Sequence, residues 1–381
     1  MLRGIHMREI FGGICLLAVA MGIGRFSYTP LLPWMQAELH LTNSMAGFIA
    51  LSNYVGYLVG SLLCTFKVFK NQRMTLIWMI VISTLSLFIM GMTDRIWLIV
   101  FARLVSGVTS AVIFIFTTQI ILTYIQTIQK HHFAGYLYSG VGVGIVGSSL
   151  LILLFSPHLH MKTLWILLAA TSLVIGILGF YLIQVVPTMP LQKKTKGKTP
   201  PILYWLYIAY FLEGLGYIIT GTFIVNVAQS LSTIDFDSAL IWIIVGTAAI
   251  PSCLLFVWLA EIFGYSRILS FALLLQAIGI VLPAISITNW SFIVSAFLFG
   301  FTFMGITALT NAIVKQINVS AIGFLTALYA LGQIIGPVVA GFLLDRTHFS
   351  VAFIVASVAV LLASLFVVVY SIMERKGSVH V

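Results

Sequence analysis

The chain has 381 residues, 61% of them hydrophobic and 7% charged, with a net charge of +10. A soluble domain is about 45–50% apolar and about a quarter charged, so this composition excludes an ordinary water-soluble fold and leaves no stretch for a soluble domain. The Lys and Arg residues fall in alternate polar breaks rather than along one stripe, which argues against a nucleic-acid binder. Cys15, Cys64 and Cys253 lie in apolar segments without CxxC or CxxH spacing, so neither a disulfide framework nor a zinc site is implied.

A membrane-crossing helix needs about 20 apolar residues, and segments of that length recur along the chain. The first, roughly 11–34, follows Arg3 and Arg8 but runs past Arg25 to Pro33 without a small-residue cleavage pattern, so it reads as a retained helix rather than a signal peptide. Five more follow at roughly 45–66, 74–92, 97–124, 133–155 and 164–186. The break at 187–201 carries four lysines in KKTKGK and reads as a solvated cytoplasmic linker. Beyond it lie roughly 203–227, 239–259, 268–287, 290–313, 321–344 and 351–372, which brings the expectation to twelve helices. The expected organisation is thus a six-helix bundle over 1–186, the linker 187–201, and a second six-helix bundle over 202–381.

With the N-terminus placed in the cytoplasm, fourteen Lys and Arg residues fall in cytoplasmic breaks, Lys67, Lys70, Arg73 and the linker lysines among them, against Arg95, Lys162 and Arg346 opposite. This bias satisfies the positive-inside rule, and an odd number of helices would scramble it. A cell-membrane protein with both termini cytoplasmic is expected.

The halves also repeat. GIGRFSYTP from Gly22 aligns with GLGYIITGT from Gly214 at an offset of 192, and the same offset brings Gly140 onto Gly332 and Gly144 onto Gly336. Two parallel repeats form an architecture used by transporters, with the solute site at the repeat interface near the midplane.

The motifs carry a family resemblance over the whole chain. RLVSGVTSA from Arg103 is similar to the RxxxGxxxA signature of the major facilitator superfamily, GQIIGPVVAG from Gly332 resembles its GxxxGPxxxG element, and AEIFGYSR from Ala260 resembles its acidic-x-x-Gly turn. The first copy of that turn departs from the pattern, with Lys67 in the acidic and Lys70 in the glycine position. GIGRFSYTPLLPWM, LSNYVGYLVGSLL, GLGYIITGTF and GFLLDRT look like the YbfB/YjiJ branch. The resemblance implies an all-α membrane protein of two pseudo-symmetric six-helix bundles whose helices 1, 4, 7 and 10 line a central cavity.

Three charges fall well inside predicted helices: Arg25, Arg103 and Glu213. Each costs about 2.5–3.5 kcal/mol on insertion scales, so such residues usually face a cavity or one another. Helical spacing groups Arg25 with Thr29, Arg103 with Gly107 and Ser110, and Glu213 with Tyr217 and Thr220. Arg25 and Glu213 are candidates for handling substrate or protons, or for a structural ion pair between the halves; Arg103 is a candidate for proton handling or for holding backbone carbonyls. Gly107, Gly140, Gly144, Gly332, Gly336 and Pro337, with Glu261 and Arg267, are candidates for gating or helix packing. The Gly142, Gly144, Gly147 match to GxGxxG follows no strand and reads as close helix packing. The amides Asn53, Gln276 and Gln333 read as helix–helix hydrogen-bonding groups, and Tyr57 either lines a solute cavity or serves as a packing or interface residue.

No catalytic residue, metal site or cofactor is expected: the eight His residues fall in predicted loops, helix ends or termini, and no phosphate loop is present. The expected partners are the lipid bilayer, a small-molecule substrate and, as a candidate coupling ion, the proton, in a monomer. Two basic groups against one acid favour an anionic or zwitterionic solute. The alternatives are proton-driven efflux of amphipathic compounds and a non-transporting membrane sensor.

Overall fold

The structure, a computed structural model, describes residues 2–66, 68–69, 71–129, 133–184, 200–318 and 321–378. Lys67, Lys70 and the linker lysines lie outside these residues. Among the described residues, twelve helical spans are long and apolar enough to cross a membrane: α1 (Met7–Leu39), α2 (Asn43–Thr65), α3 (Gln72–Met92), α4 (Ile96–Thr127), α5 (Phe133–Phe155), α6 (Met161–Leu182), α7 (Leu203–Gln229), α8 (Ala239–Phe263), α9 (Tyr265–Ile285), α10 (Asn289–Ile317), α11 (Ile322–Arg346) and α12 (Phe349–Arg375). The count agrees with the sequence. Several helices outrun their predicted ends, as α1 does through Gln36 and Glu38, because a helix continues into the interface after its residues cease to be apolar.

Within each set of six, α2 packs on α4 and α3 on α6 in the first bundle, and α8 on α10 and α9 on α12 in the second. The bundles meet through α5 on α8, α2 on α11 and α1 on α7. Tight helix crossings are made at glycines. A Cβ on Gly107 would sit 2.0 Å from the Asn53 carbonyl oxygen on α2, and one on Gly144 2.4 Å from that of Ala18 on α1. The second bundle reuses the device: Gly332 and Gly336 of α11 bring α7 within the same range, at the carbonyls of Phe211 and Leu215. Pro337 lies in α11 with its carbonyl against Gly47 of α2, across the bundle interface. Glu261 and Arg267 flank the α8–α9 turn, where Gly264 takes φ +95°, and both side chains are exposed with no ion pair between them.

The spacing rule that groups Arg25 with Thr29 assumes an unbroken helix, and α1 is not one. Residues Ala18–Ile23 form a π-helical stretch and regular helix resumes only at Tyr28. Gly24 and Phe26 donate to carbonyls five residues back, Val19 and Met21. Pro30 has no amide hydrogen to give the carbonyl of Phe26, one turn earlier, which takes the Thr29 amide at 3.3 Å instead, and the shifted register leaves the carbonyls of Gly24 and Arg25 without backbone donors in the middle of the span.

Candidate solute site

Three side chains from other helices answer the carbonyls freed by that break. Arg103 of α4 donates from Nη1 to Gly24 O and from Nη2 to Arg25 O, each at 3.2 Å. Ser106, one turn on, donates to Gly24 O at 2.7 Å, and Trp242 Nε1 of α8 donates to Phe26 O at 3.0 Å. Arg103 is 1% exposed and also stands over the Tyr28 ring at 4.8 Å. Of the two roles open to it in the sequence, the geometry displays the carbonyl-holding one. Where water is absent an orphaned carbonyl costs several kcal/mol, so this repair keeps a broken helix in the bilayer.

The break carries Arg25, 3% exposed, away from any acid. Its guanidinium is enclosed by rings, with Tyr57 centred at 4.6 Å, Tyr54 at 4.8 Å and Phe26 at 5.4 Å. Such contacts are worth about 0.5–2 kcal/mol each, but they leave N–H groups unspent: Arg25 Nε and Nη2 have no hydrogen-bond partner among the described residues. Tyr217 and Tyr329 of the second bundle stand within electrostatic range.

Glu213 does not pair with Arg25. Among the described residues the sole ion pair is Lys162–Asp94 at 2.6 Å, exposed and internal to the first bundle. Glu213 is 0% exposed and lines an apolar crevice with Leu206, Tyr210, Leu269, Leu273 and Val367, all of the second bundle. The 192-residue repeat puts Tyr217 opposite Arg25 and Glu213 one turn away, but it says nothing of rotation about the helix, and that rotation points Glu213 between α9, α10 and α12. The Gln276 amide and the Tyr329 hydroxyl are its polar neighbours, but neither closes to a hydrogen bond, leaving both carboxyl oxygens and both polar atoms of Gln276 unpartnered. Tyr329 therefore borders both charged groups.

The remaining candidates are distributed around this centre. Tyr217 is buried and accepts a hydrogen bond from Gln333 Nε2 at 2.6 Å. Thr29 donates to Gly221 O at 2.6 Å across the bundle interface; the two residues are equivalent under the 192-residue repeat, so the pseudo-twofold axis passes close by. Thr220 is buried with its hydroxyl unpartnered. Tyr54, Trp242 and Tyr329 are not singled out by the sequence, which leaves Tyr57 open between packing and lining a solute cavity. The signals available were a tyrosine pair at i, i+3 in SNYVGY and the donor demand that Pro30 creates one turn back.

Towards the side of the molecule away from both chain ends, further contacts cross the interface. Asp345, at the end of α11, accepts the amide N–H of Asn43 at 2.9 Å and of Ser44 at 2.8 Å, while the Thr42 hydroxyl accepts that of Met45. The free amides that begin α2 are thus capped partly from the opposite bundle. A cavity of about 310 Å³ beside this cap is lined by Gln36, Asn43, Asn226, Val227 and Ser230, among others.

A family model described as an uncharacterised MFS-type transporter YbfB matches residues 17–368. Among solved structures, the nucleoside transporter NupG resembles the chain at 14% identity, with a TM-score of 0.73 for a point mutant and 0.69 for the unmodified protein. The alignments cover 95% and 94% of this chain and 99% and 98% of the other. At that identity the likeness is one of fold. No curated protein sequence matches the chain. With most of its length matched by the family model and its twelve helices in the arrangement of a major facilitator, the chain belongs to the YbfB-type transporters of the major facilitator superfamily.

Proposed function

We propose that this transporter moves a small organic anion or zwitterion across the cell membrane by alternating access, as a monomer with both termini cytoplasmic. The supporting observation is Arg25: a buried guanidinium at the bundle interface with two nitrogens unpartnered and no carboxylate beside it. An anionic group entering there would take charge-assisted hydrogen bonds that the protein itself does not provide. The bundles, 1–186 and 202–381, would rock about the α5–α8 and α2–α11 contacts.

On this reading the far-side cap is a latch. Asp345→Ala removes an acceptor for two helix-start amides, an interaction worth about 0.5–2 kcal/mol, and so moves the closed-to-open ratio on that side by roughly 2- to 30-fold. A Val227→Cys reporter in the cavity beside the cap, buried in the closed form, is expected to alkylate faster by that factor in the Asp345→Ala background. An unchanged rate would show that the cap does not hold the closed state.

Glu213 is the candidate coupling acid, since a buried carboxyl in a transporter marks a proton path and exchanges its proton when a conformational change alters its surroundings. Glu213→Gln in proteoliposomes is expected to lose accumulation driven by a pH gradient, by at least about 10-fold, while exchange of solute across the membrane continues; coupling of wild-type strength in this variant would remove Glu213 from the role.

A further inference from the structure

Opposite Arg25 the second bundle presents rings in one orientation. Tyr217 of α7 lies within 5° of Phe303 and 15° of Phe299 on α10, and within 7° of Tyr329 on α11. Phe299 and Phe303 differ by 13°, and Tyr210 stacks on Tyr329 at 4.2 Å and 13°. Five rings from three helices thus share nearly one plane direction, whereas Phe69 meets Phe116 at 89° and Phe133 meets Tyr136 at 54°, and the near-parallel pair Phe297–Phe301, at 11°, lies within the single helix α10. The Gln333 hydrogen bond to the Tyr217 hydroxyl fixes the rotation of the central ring. From the first bundle, Phe26, the residue next to Arg25, meets Phe303 edge-on at 6.0 Å and 78°. The interface therefore pairs a column of parallel π faces on one bundle with an unspent guanidinium on the other.

We infer that the solute is a planar aromatic acid. Its ring lies flat along the Tyr217–Phe299–Phe303 column in offset-stacked contact, and its anionic group takes the free N–H donors of Arg25; as the bundles part, Phe26 yields the edge contact it makes with Phe303. This assignment rests on the anion reading above and adds the ring. Stacking geometry is worth about 0.5–1.5 kcal/mol per aromatic pair beyond the area buried, which separates a flat ring from a puckered one of the same carbon skeleton by roughly 2- to 12-fold in affinity. Area alone predicts the reverse order or none, because the saturated ring is at least as apolar.

The test compares naphthalene-2-carboxylate with decahydronaphthalene-2-carboxylate, measured as dissociation constants on the purified full chain in lipid nanodiscs. The aromatic acid is expected to bind about 3- to 10-fold more tightly, the advantage falling to less than about 2-fold in Phe303→Leu, which keeps apolar bulk. Phe299→Leu repeats the comparison if Phe303→Leu does not fold. Equal or tighter binding of the saturated acid overturns the aromatic assignment, and so does an advantage that survives both leucine variants. Binding of neither acid overturns it too. The anion reading is judged separately by Arg25→Gln, expected to weaken both acids alike, and by succinate as a non-aromatic probe: if whatever binds is indifferent to Arg25→Gln, that reading fails, whereas Arg25-dependent succinate binding without a naphthoate advantage leaves it standing alone.

Discussion

Arg25→Ala is expected to abolish solute binding for practical purposes, lowering affinity by roughly 30- to 5,000-fold. Truncating one partner of a buried charge pair costs about 2–5 kcal/mol, part of it the penalty of leaving the other charge in a dry site without a counterpart. The protein should still fold, because Arg25 makes no side-chain hydrogen bond to the protein among the described residues and its aromatic contacts are individually modest. Arg25→Lys sharpens the point: it retains the charge but loses the planar fork, and should fall between wild type and alanine. Solute binding to the purified variants and flux into proteoliposomes read the two effects, with the melting temperature as the control for folding. An alanine variant that binds and transports at the wild-type level would end the anion reading.

Arg103→Ala is expected to act on stability instead. It strips donors from Gly24 O and Arg25 O at the same break in α1, and hydrogen bonds to a charged group contribute about 1.5–3 kcal/mol each, so a loss of about 3–6 kcal/mol follows. Arg103→Lys supplies a single point donor in place of a fork and should recover about half of that loss. Trp242→Phe, which removes the donor to Phe26 O but keeps most of the ring, should cost less, about 1–3 kcal/mol. Unfolding monitored in detergent checks all three. If Arg103→Ala keeps wild-type stability but cannot couple transport to a proton gradient, Arg103 is a proton-handling residue and its carbonyl contacts are incidental.

The pairing of roles between these two arginines follows from one local event. Pro30 cannot donate to Phe26 O, and the π-helical stretch before it shifts the hydrogen-bond register. The carbonyls of Gly24 and Arg25 then need outside donors, which Arg103 and Ser106 provide, and Trp242 adds a second donor to Phe26 O beside the Thr29 amide. With both terminal nitrogens of Arg103 engaged in this way and only its Nε unpartnered, Arg25 is the buried arginine that keeps a terminal nitrogen, Nη2, together with Nε, for a solute. The same event displaces Arg25 from the regular face it would share with Thr29 and leaves Thr29 to bond Gly221 across the pseudo-twofold axis.

What the sequence alone determined is whatever depends on local composition and on repetition. The number of spans followed from apolar length and the glycine contacts between α1 and α5 and between α7 and α11 were foreshadowed by aligned motifs, since small residues allow close backbone approach in any such pair. The residues that matter most inside the membrane were visible too, because a charge at that depth is expensive and therefore rare. Their relations were not. An ion pair between Arg25 and Glu213 fits the linear spacing, but helix rotation aims Glu213 between α9 and α12 while the break in α1 turns Arg25 into a cage of Tyr54 and Tyr57. The Asp345 cap joins residues 302 and 301 positions apart, and the parallel rings come from three helices. Contacts of this kind are set by how twelve helices rotate and slide against one another, a degree of freedom that neither hydropathy nor a repeat offset contains, so only the tertiary structure decided them.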